Sequence, residues 1–285
     1  MSTRTPTRLS AGERARRAGS DRGERGAPAL LMAPALVAVA FLLLPLAGLV
    51  IRAPWSRLGE ILLAPGTREA LTLSLWTSTA ATAFSVLVGV PLAWLLARTA
   101  LPGIRVLRAL VTLPLVLPPV VGGVALLLAF GRTGLVGRHL DQWFGLTIPF
   151  SPLAVVMAET FVAMPFLIVT VEGALRAADR GYDEAAATLG ASRLTTFRLV
   201  TLPLLGPSLV AGAVLCWARA LGEFGATITF AGSLPGRTQT MPIAVYYALD
   251  TDPEAAIALS LVLLAVSVAV LVALRDRWLR GGALA

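Results

Sequence analysis

Lysine is absent from this chain of 285 residues, and histidine and cysteine occur once each, as His139 and Cys216. Without lysine the chain has no residue to hold the phosphates of a P-loop ATP site, and none to form a Schiff base. One histidine and one cysteine leave no clustered metal site, no Cys-x-x-Cys motif and no disulfide within the chain. These absences argue against an enzyme, and any energy that the protein uses must come from elsewhere.

Charged residues are also scarce, at 14% of the chain, whereas hydrophobic residues make up 56% and the mean hydropathy is +0.79. A helix that crosses a bilayer needs about 20 consecutive apolar residues. Six runs meet this requirement, near residues 29–51, 70–97, 107–130, 152–175, 207–228 and 255–274. The composition therefore predicts an all-α integral membrane protein with six transmembrane helices.

The arginines predict the orientation of these helices. Seven of them lie in the first 28 residues, and most of the others fall on the same side of a six-span arrangement. By the positive-inside rule, both termini are cytoplasmic. The domains expected are a basic, disordered cytoplasmic arm at 1–28, a first transmembrane helix and external loop at 29–64, a transmembrane core at 65–275 with a cytoplasmic loop at 176–203, and a cytoplasmic tail at 276–285. This topology accounts for most of the net charge of +8, which is therefore no indication of a nucleic-acid partner.

The loop at 176–203 contains the most informative motif. Asp183 is predicted to cap a short helix with an alanine face, and Gly190 is predicted to end that helix in the left-handed conformation. Ser192 is predicted to cap a second short helix that runs into Leu202 and Pro203. Two short helices between membrane spans predict a docking element for a partner outside the bilayer.

Two of the spans contain features that are unusual in a membrane helix. Prolines and glycines interrupt the third span at residues 113–123, and broken helices persist in a bilayer only where protein or a water-filled cavity satisfies the backbone. In the fifth span, Arg219 and Glu223 are spaced to pair on one helical face, which reduces the cost of burying charge. This pair either belongs to the transport pathway or ties the helix to a neighbour, for example through Glu159.

The loop resembles the EAA loop of type I ABC importer permeases, with Val200 where isoleucine is usual. Residues 218–227 and 235–242, together with 113–123, resemble the molybdate transport permeases. The resemblance implies a type I importer fold, a homodimer, two ATP-binding subunits that carry ATP and Mg, and an external oxyanion-binding protein. It places contacts with the ATPase subunit at Asp183, Glu184, Ala185, Ala186, Gly190, Ala191, Leu202 and Pro203. The gate and pathway are expected at Pro118, Pro119, Gly122, Arg219, Glu223, Thr227 and Thr229, and the loop on the binding-protein side at Gly236, Arg237, Thr238 and Thr240.

Two alternatives remain open from the residues. Sulfate and thiosulfate permeases share the Ala-Arg-x-Leu-Gly-Glu core, and residues 236–240 favour the molybdate group over them. A secondary carrier or a membrane enzyme is a remoter alternative, for which Glu159 and Glu223 are the only suitable carboxylates within the spans. In the preferred interpretation the chain is a molybdate or tungstate permease subunit of a bacterial cytoplasmic membrane, with no cofactor or metal of its own.

Overall fold

The computed structural model describes residues 29–179 and 181–281, and this part of the chain is helical apart from its connecting turns. The chain divides into two compact units, one up to Arg52 and one from Ala53. In the first unit, helix α1 spans Ala29–Ile51, and no side chain in Met32–Ile51 is buried. The basic arm predicted at 1–28 and the last four residues of the predicted tail lie outside the described residues.

The second unit begins with α2 and ends with a long helix, α14. Its helices are α2 (Leu58–Leu63), α3 (Pro65–Arg98), α4 (Ile104–Thr112), α5 (Pro119–Phe130), α6 (Gly137–Phe144), α7 (Pro152–Ala177), α8 (Gly181–Thr188), α9 (Arg193–Thr196), α10 (Leu202–Leu204), α11 (Gly206–Leu221), α12 (Gly225–Phe230), α13 (Met241–Thr251) and α14 (Pro253–Gly281). A 3₁₀ turn at Leu113–Leu115 follows α4, and a π-helical segment at Phe197–Thr201 joins α9 to α10.

Helices α3, α7 and α11 pack together at the centre of the second unit. Small residues such as Ala81, Ala163 and Cys216 are fully buried where these helices meet. Small side chains let membrane helices approach closely, and dispersion contacts and hydrogen bonds then hold them together. A second apolar cluster joins α5, α7 and α12, and a third joins α3, α13 and α14.

Four helices are long and apolar enough to cross a membrane unaided, namely α1, α3, α7 and α14. Two bent pairs raise the number to six if each pair forms one span. One pair is α11 with the helical stretch Arg193–Leu204, bent by 74°, and the other is Ile104–Leu115 with α5, bent by 115°. The prediction of an all-α membrane protein is confirmed, and the third span is broken as predicted.

The continuous fifth span predicted at 207–228 is wrong, because α11 ends at Leu221 and a separate short helix, α12, begins at Gly225. The apolar composition continues across this gap, so hydropathy alone does not reveal it. The break lies next to the predicted charge pair, where it exposes backbone groups that need partners.

Candidate coupling loop and buried charge sites

Arginines from several helices gather at one end of the second unit, where α3 and α7 both end. Arg108 of α4 donates from Nε to Glu172 of α7 at 2.8 Å and from Nη2 to the carbonyl oxygen of Leu96 at 3.0 Å. Arg176 pairs with the same Glu172 carboxylate at 2.8 Å. These bonds connect α4, α3 and α7 at the end where the predicted coupling loop begins.

The coupling loop contains the two short helices that its sequence predicts. Helix α8 carries Glu184, Ala185 and Ala186, and no residue of this helix is buried. Gly190 follows with φ of +78°, the left-handed conformation that favours glycine. The amide of Ala191 donates to the carbonyl oxygen of Ala186 at 3.0 Å, which satisfies one of the last carbonyls of the helix.

The predicted N-cap role of Asp183 is wrong. The helix begins at Gly181, so Asp183 lies in its first turn. Its carboxylate contacts two other elements: Oδ2 lies 3.4 Å from Nη2 of Arg98, and Oδ1 accepts from the hydroxyl of Thr201 at 3.4 Å. A negative charge in the first turn still suits the positive end of the helix dipole.

Ser192 caps the second short helix, as predicted, and its Oγ accepts from the amide of Thr195 at 3.2 Å. The chain then passes through the π-helical segment into α10, which contains Leu202 and Pro203. A π-helical turn is rare and is frequently found at functional sites. Here it lies directly before the 74° bend into α11.

An open cavity of about 360 Å³ separates α8 from the end of α3. Its lining combines aromatic, charged and hydroxyl side chains: Trp94, Arg98, Asp183, Arg193, Phe197 and Thr201 are among them. Glu184 also lines the cavity, so the lining has two acidic side chains, Asp183 and Glu184, and two basic ones, Arg98 and Arg193. The cavity has no excess of charge of either sign to favour an ionic ligand.

The predicted pair of Arg219 and Glu223 forms, with Nη1 of Arg219 2.5 Å from Oε2 of Glu223. This oxygen has no aligned hydrogen-bond donor among the described residues, so the contact is an ion pair without hydrogen-bond geometry. The other oxygen, Oε1, accepts from the amide of Ala226 at 2.8 Å. Glu223 therefore stabilises the start of α12 as well as holding a charge, which explains a carboxylate at the break.

The alternative that Glu159 ties this pair to α7 is wrong in the described part of the chain. Glu159 is only 1% exposed, and its Oε1 accepts from the hydroxyl of Thr77 in α3 at 2.9 Å. Its Oε2 finds no partner among the described residues. The Glu159 carboxylate thus links α7 to α3, and Arg219 pairs with Glu223 instead.

The predicted gate residues of the broken span pack closely against α12. Pro118 occupies the N-cap position of α5, and Pro119 is the first residue of that helix. A Cβ atom on Gly123 would lie 2.7 Å from Cβ of Thr229, and one on Gly225 would lie 2.9 Å from Cβ of Pro119. Gly122 is confined in the same way by Phe161, at 2.9 Å. At Gly123 and Gly225 glycine is required because two backbones meet with no space between them, whereas Gly122 faces the ring of Phe161.

The threonines predicted for the pathway and for the loop on the binding-protein side differ in exposure. Thr227, Thr238 and Thr240 are buried inside the chain, whereas Thr229 is partly exposed and donates to the carbonyl oxygen of Gly225 at 2.8 Å. In this conformation the three buried threonines do not line an open passage. Thr238 Oγ1 accepts from the amide of Leu234 at 2.9 Å and so orders the loop before α13.

That loop carries the residues predicted on the binding-protein side. Arg237 is exposed, and Gly236 has φ of +69°. The backbone of Gly236 passes so close to Glu69 that a Cβ atom would lie 3.0 Å from its Oε2. The loop thus lies over the start of α3, at the opposite end of that helix from Arg98.

Sequence reasoning missed three residues of these sites: Arg98, Thr201 and Thr77. Each is an ordinary residue at the end or the middle of an apolar run, and its partner is distant in the sequence. Arg98 had one usable signal, since it is the first charged residue after a long apolar run and so marks the end of a span. Among the described residues, no three His, Cys, Asp or Glu side chains come together as a metal site requires.

The arrangement of these helices is that of ABC importer permeases. The structure aligns with that of a bacterial ABC transporter that imports the acidic polysaccharide alginate, with a TM-score of 0.71 and 16% identity over 88% of this chain and 94% of that one. A second structure of a bacterial alginate transporter, in complex with an alginate-bound periplasmic protein, gives a TM-score of 0.68 at 17% identity, over 87% and 91% of the two chains. At this identity the likeness establishes the fold.

The chain belongs to the family of binding-protein-dependent transport system inner membrane components, whose pattern its residues 89–281 match. It is 49% identical over 250 residues to the molybdenum transport system permease protein ModB of Mycobacterium tuberculosis, covering 88% of this chain and 94% of that protein. It is 42% identical over 211 residues to ModB of Escherichia coli K12, covering 74% and 92%. The sulfate transport system permease protein CysT of Salmonella typhimurium is 37% identical over 234 residues, covering 81% and 84%. The chain is therefore a multi-pass membrane permease component.

Proposed function

We propose that this chain is the permease subunit of an ATP-driven importer of molybdate, with tungstate as a second substrate of the same pathway. The observation that carries the proposal is the identity of 49% to a molybdenum permease over 250 residues, against 37% to a sulfate permease over 234. The sequence at residues 236–240 favours the same group.

The proposed assembly is a homodimer of this chain with two ATP-binding subunits and an external oxyanion-binding protein. ATP and Mg are bound by the ATPase subunits, because a chain without lysine has no P-loop of its own. The location proposed for the whole is the bacterial cytoplasmic membrane, with the coupling loop on the inner side.

The exposed helix α8 is proposed to dock on the ATPase subunit through Glu184, Ala185 and Ala186. No residue of this eight-residue helix is buried, and Glu184 and Ala185 are exposed, so this part of its surface is free for a partner. Closure of the ATPase dimer would then move α8 and, with it, the spans that it contacts. In this scheme closure opens the transport pathway outward, and hydrolysis resets it.

An oxyanion needs hydrogen-bond donors along its path but no site that holds it too tightly. Arg219 is already paired with Glu223, so its charge is compensated. The donors proposed to contact the anion are the backbone near the break between α11 and α12 and Thr229, whose hydroxyl would turn away from the carbonyl oxygen of Gly225 to do so. Neutral donors at helix breaks bind anions without trapping them.

The proposal is tested by element uptake in a strain that lacks this gene, with molybdenum, tungsten and sulfur followed by mass spectrometry at low external concentrations. We expect molybdenum and tungsten uptake to be lost and sulfur uptake to be unchanged, with recovery on return of the wild-type gene. Loss of sulfur uptake instead would assign the chain to sulfate transport, and unchanged uptake of all three would contradict both assignments.

A further inference from the structure

Helix α8 has few apolar contacts to hold it in place, since Ala186 is only half-buried and Tyr182 lines a small cavity with Leu204 and Leu205. None of its residues is buried, and its neighbours are α9 and the π-helical segment, both from the same loop. The cavity of about 360 Å³ lies where apolar packing against the end of α3 would otherwise be. Polar contacts are therefore important in connecting this helix to the membrane spans.

Asp183 provides these contacts. It is the residue of α8 that forms a salt bridge within the described part of the chain, and its partner Arg98 is the last residue of α3. The Arg98 side chain is only 10% exposed, and that of Asp183 is 35% exposed. An ion pair that is partly withdrawn from water is screened less than a surface pair.

The second oxygen of Asp183 contacts a different span. Thr201 ends the π-helical segment, and its hydroxyl lies 3.4 Å from Oδ1. The chain continues through Pro203 into α11, which carries Arg219 in its last turn. One carboxylate thus touches the end of α3 and the start of the fifth span.

We propose that Asp183 is the positioning residue that transmits movement of α8 to both spans, to α3 through Arg98 and to α11 through Thr201. This inference rests on the proposed coupling role of the loop at 176–203. It assigns to Asp183 a contact within the permease, distinct from contact with the ATPase. Loss of the link leaves ATPase docking intact and separates ATP hydrolysis from transport.

The test uses the complete transporter in proteoliposomes, with the ATPase and the binding protein present. The variants are Asp183→Asn, which keeps the side-chain shape and removes the charge, Arg98→Gln, and the exchange Arg98→Asp with Asp183→Arg. Three quantities are measured: ATPase co-purified per permease, ATP hydrolysed, and anion imported, with molybdate and sulfate assayed in parallel.

We expect each single variant to bind the ATPase as the wild type does and to import about tenfold less anion per ATP, within the usual range of coupling free energies. The exchanged pair should recover to within about threefold of the wild type, because it restores the attraction with the charges reversed. Arg105→Gln is the control, since Arg105 is an exposed arginine of α4 with no salt bridge in the described part of the chain. The anion imported per ATP by the Arg105→Gln variant should stay within about twofold of the wild type.

Three outcomes would overturn the proposal. Wild-type import in both single variants would show that the pair carries no coupling. Failure of the exchange to restore import would show that the two residues do not act through each other. Loss of ATPase from the Asp183→Asn variant would assign Asp183 to docking. Failure of the proposed function would be seen separately. Sulfate import by the wild type would show that the proposed substrate is wrong. Normal ATPase binding by the Gly190→Glu variant would show that the proposed docking site is wrong.

Discussion

Among individual residues, the buried carboxylates Glu159 and Glu223 each have a partner from the described part of the chain on at least one oxygen. Glu223 accepts from the amide of Ala226 and pairs with Arg219, and Glu159 accepts from Thr77. The side chain of Glu223 is 1% exposed and that of Arg219 is 27% exposed. Removing one member of such a pair leaves a buried charge without compensation, which costs more than the pair contributes.

We therefore expect Arg219→Ala to damage the protein more than Arg219→Ala combined with Glu223→Gln. The single change should lower the free energy of unfolding by about 2–4 kcal/mol, somewhat less than for a fully buried pair because Arg219 is partly exposed. Glutamine keeps an oxygen for the amide of Ala226, so the double variant should lose only about 1–2 kcal/mol. Thermal unfolding in detergent and anion uptake measure the two effects, and equal losses in both variants would mean that the residues are not coupled.

At the scale of the element, the coupling loop depends on the backbone conformation at Gly190. Its φ of +78° is accessible to glycine and, among other residues, mainly to asparagine. No atom lies within 4 Å of the position of a Cβ on this glycine, so the protein itself has room for a side chain there. Any loss of ATPase docking or uptake on substitution of Gly190 therefore comes from backbone strain or from a partner that occupies this space.

Gly190→Glu is expected to abolish ATPase docking and uptake while membrane insertion stays normal, because a bulky acid at the end of α8 combines strain with obstruction. Gly190→Asn is the matched control, since asparagine tolerates the left-handed conformation and is smaller. It should retain most of the ATPase and uptake. Co-purification and membrane yield are the measurements, and normal ATPase recovery with the glutamate variant would count against docking at this loop.

The helices and both short elements of the loop follow from local patterns in the sequence, and the contacts between them do not. Gly190 and Ser192 act on their immediate neighbours, so their roles can be predicted from residue type and spacing. Asp183 has the same chemistry as an N-cap, yet its partners Arg98 and Thr201 lie 85 and 18 residues away in the sequence. The gap between α11 and α12 could not be predicted from hydropathy. At this gap the side chain of Glu223 accepts from the amide of Ala226 in place of a backbone carbonyl, and the apolar composition does not change.

At the scale of the whole molecule, the two ends of the second unit differ in their charge patterns. The end with α8 contains Arg98, Arg108 and Arg176, each bound to a carboxylate. At the other end, Arg57 contacts Asp252 and Glu254, and Arg237 is exposed. The positive-inside rule predicts that the end with α8 faces the cytoplasm.

This orientation is tested with single cysteines in a Cys216→Ser background. Leu189 is 88% exposed beside α8, and Arg237 is exposed at the other end. In intact cells a membrane-impermeant maleimide should label Arg237→Cys and should leave Leu189→Cys unlabelled until the membrane is permeabilised. The reverse pattern would place the coupling loop outside the cell and would be incompatible with an ATPase partner in the cytoplasm.

The broken third span also has a consequence for biogenesis. Helix α5 has 12 residues, which at 1.5 Å per residue span about 18 Å, less than the roughly 30 Å of a hydrocarbon core. Val116, at the 115° break, is 85% exposed within the described part of the chain, and its amide donates to the carbonyl oxygen of Leu113 at 3.0 Å. A break in a helix is tolerated at membrane depth where a neighbouring chain or a water-filled space satisfies the carbonyl groups that lose their helical partners. We therefore expect an unassembled subunit to be shorter-lived than an assembled one.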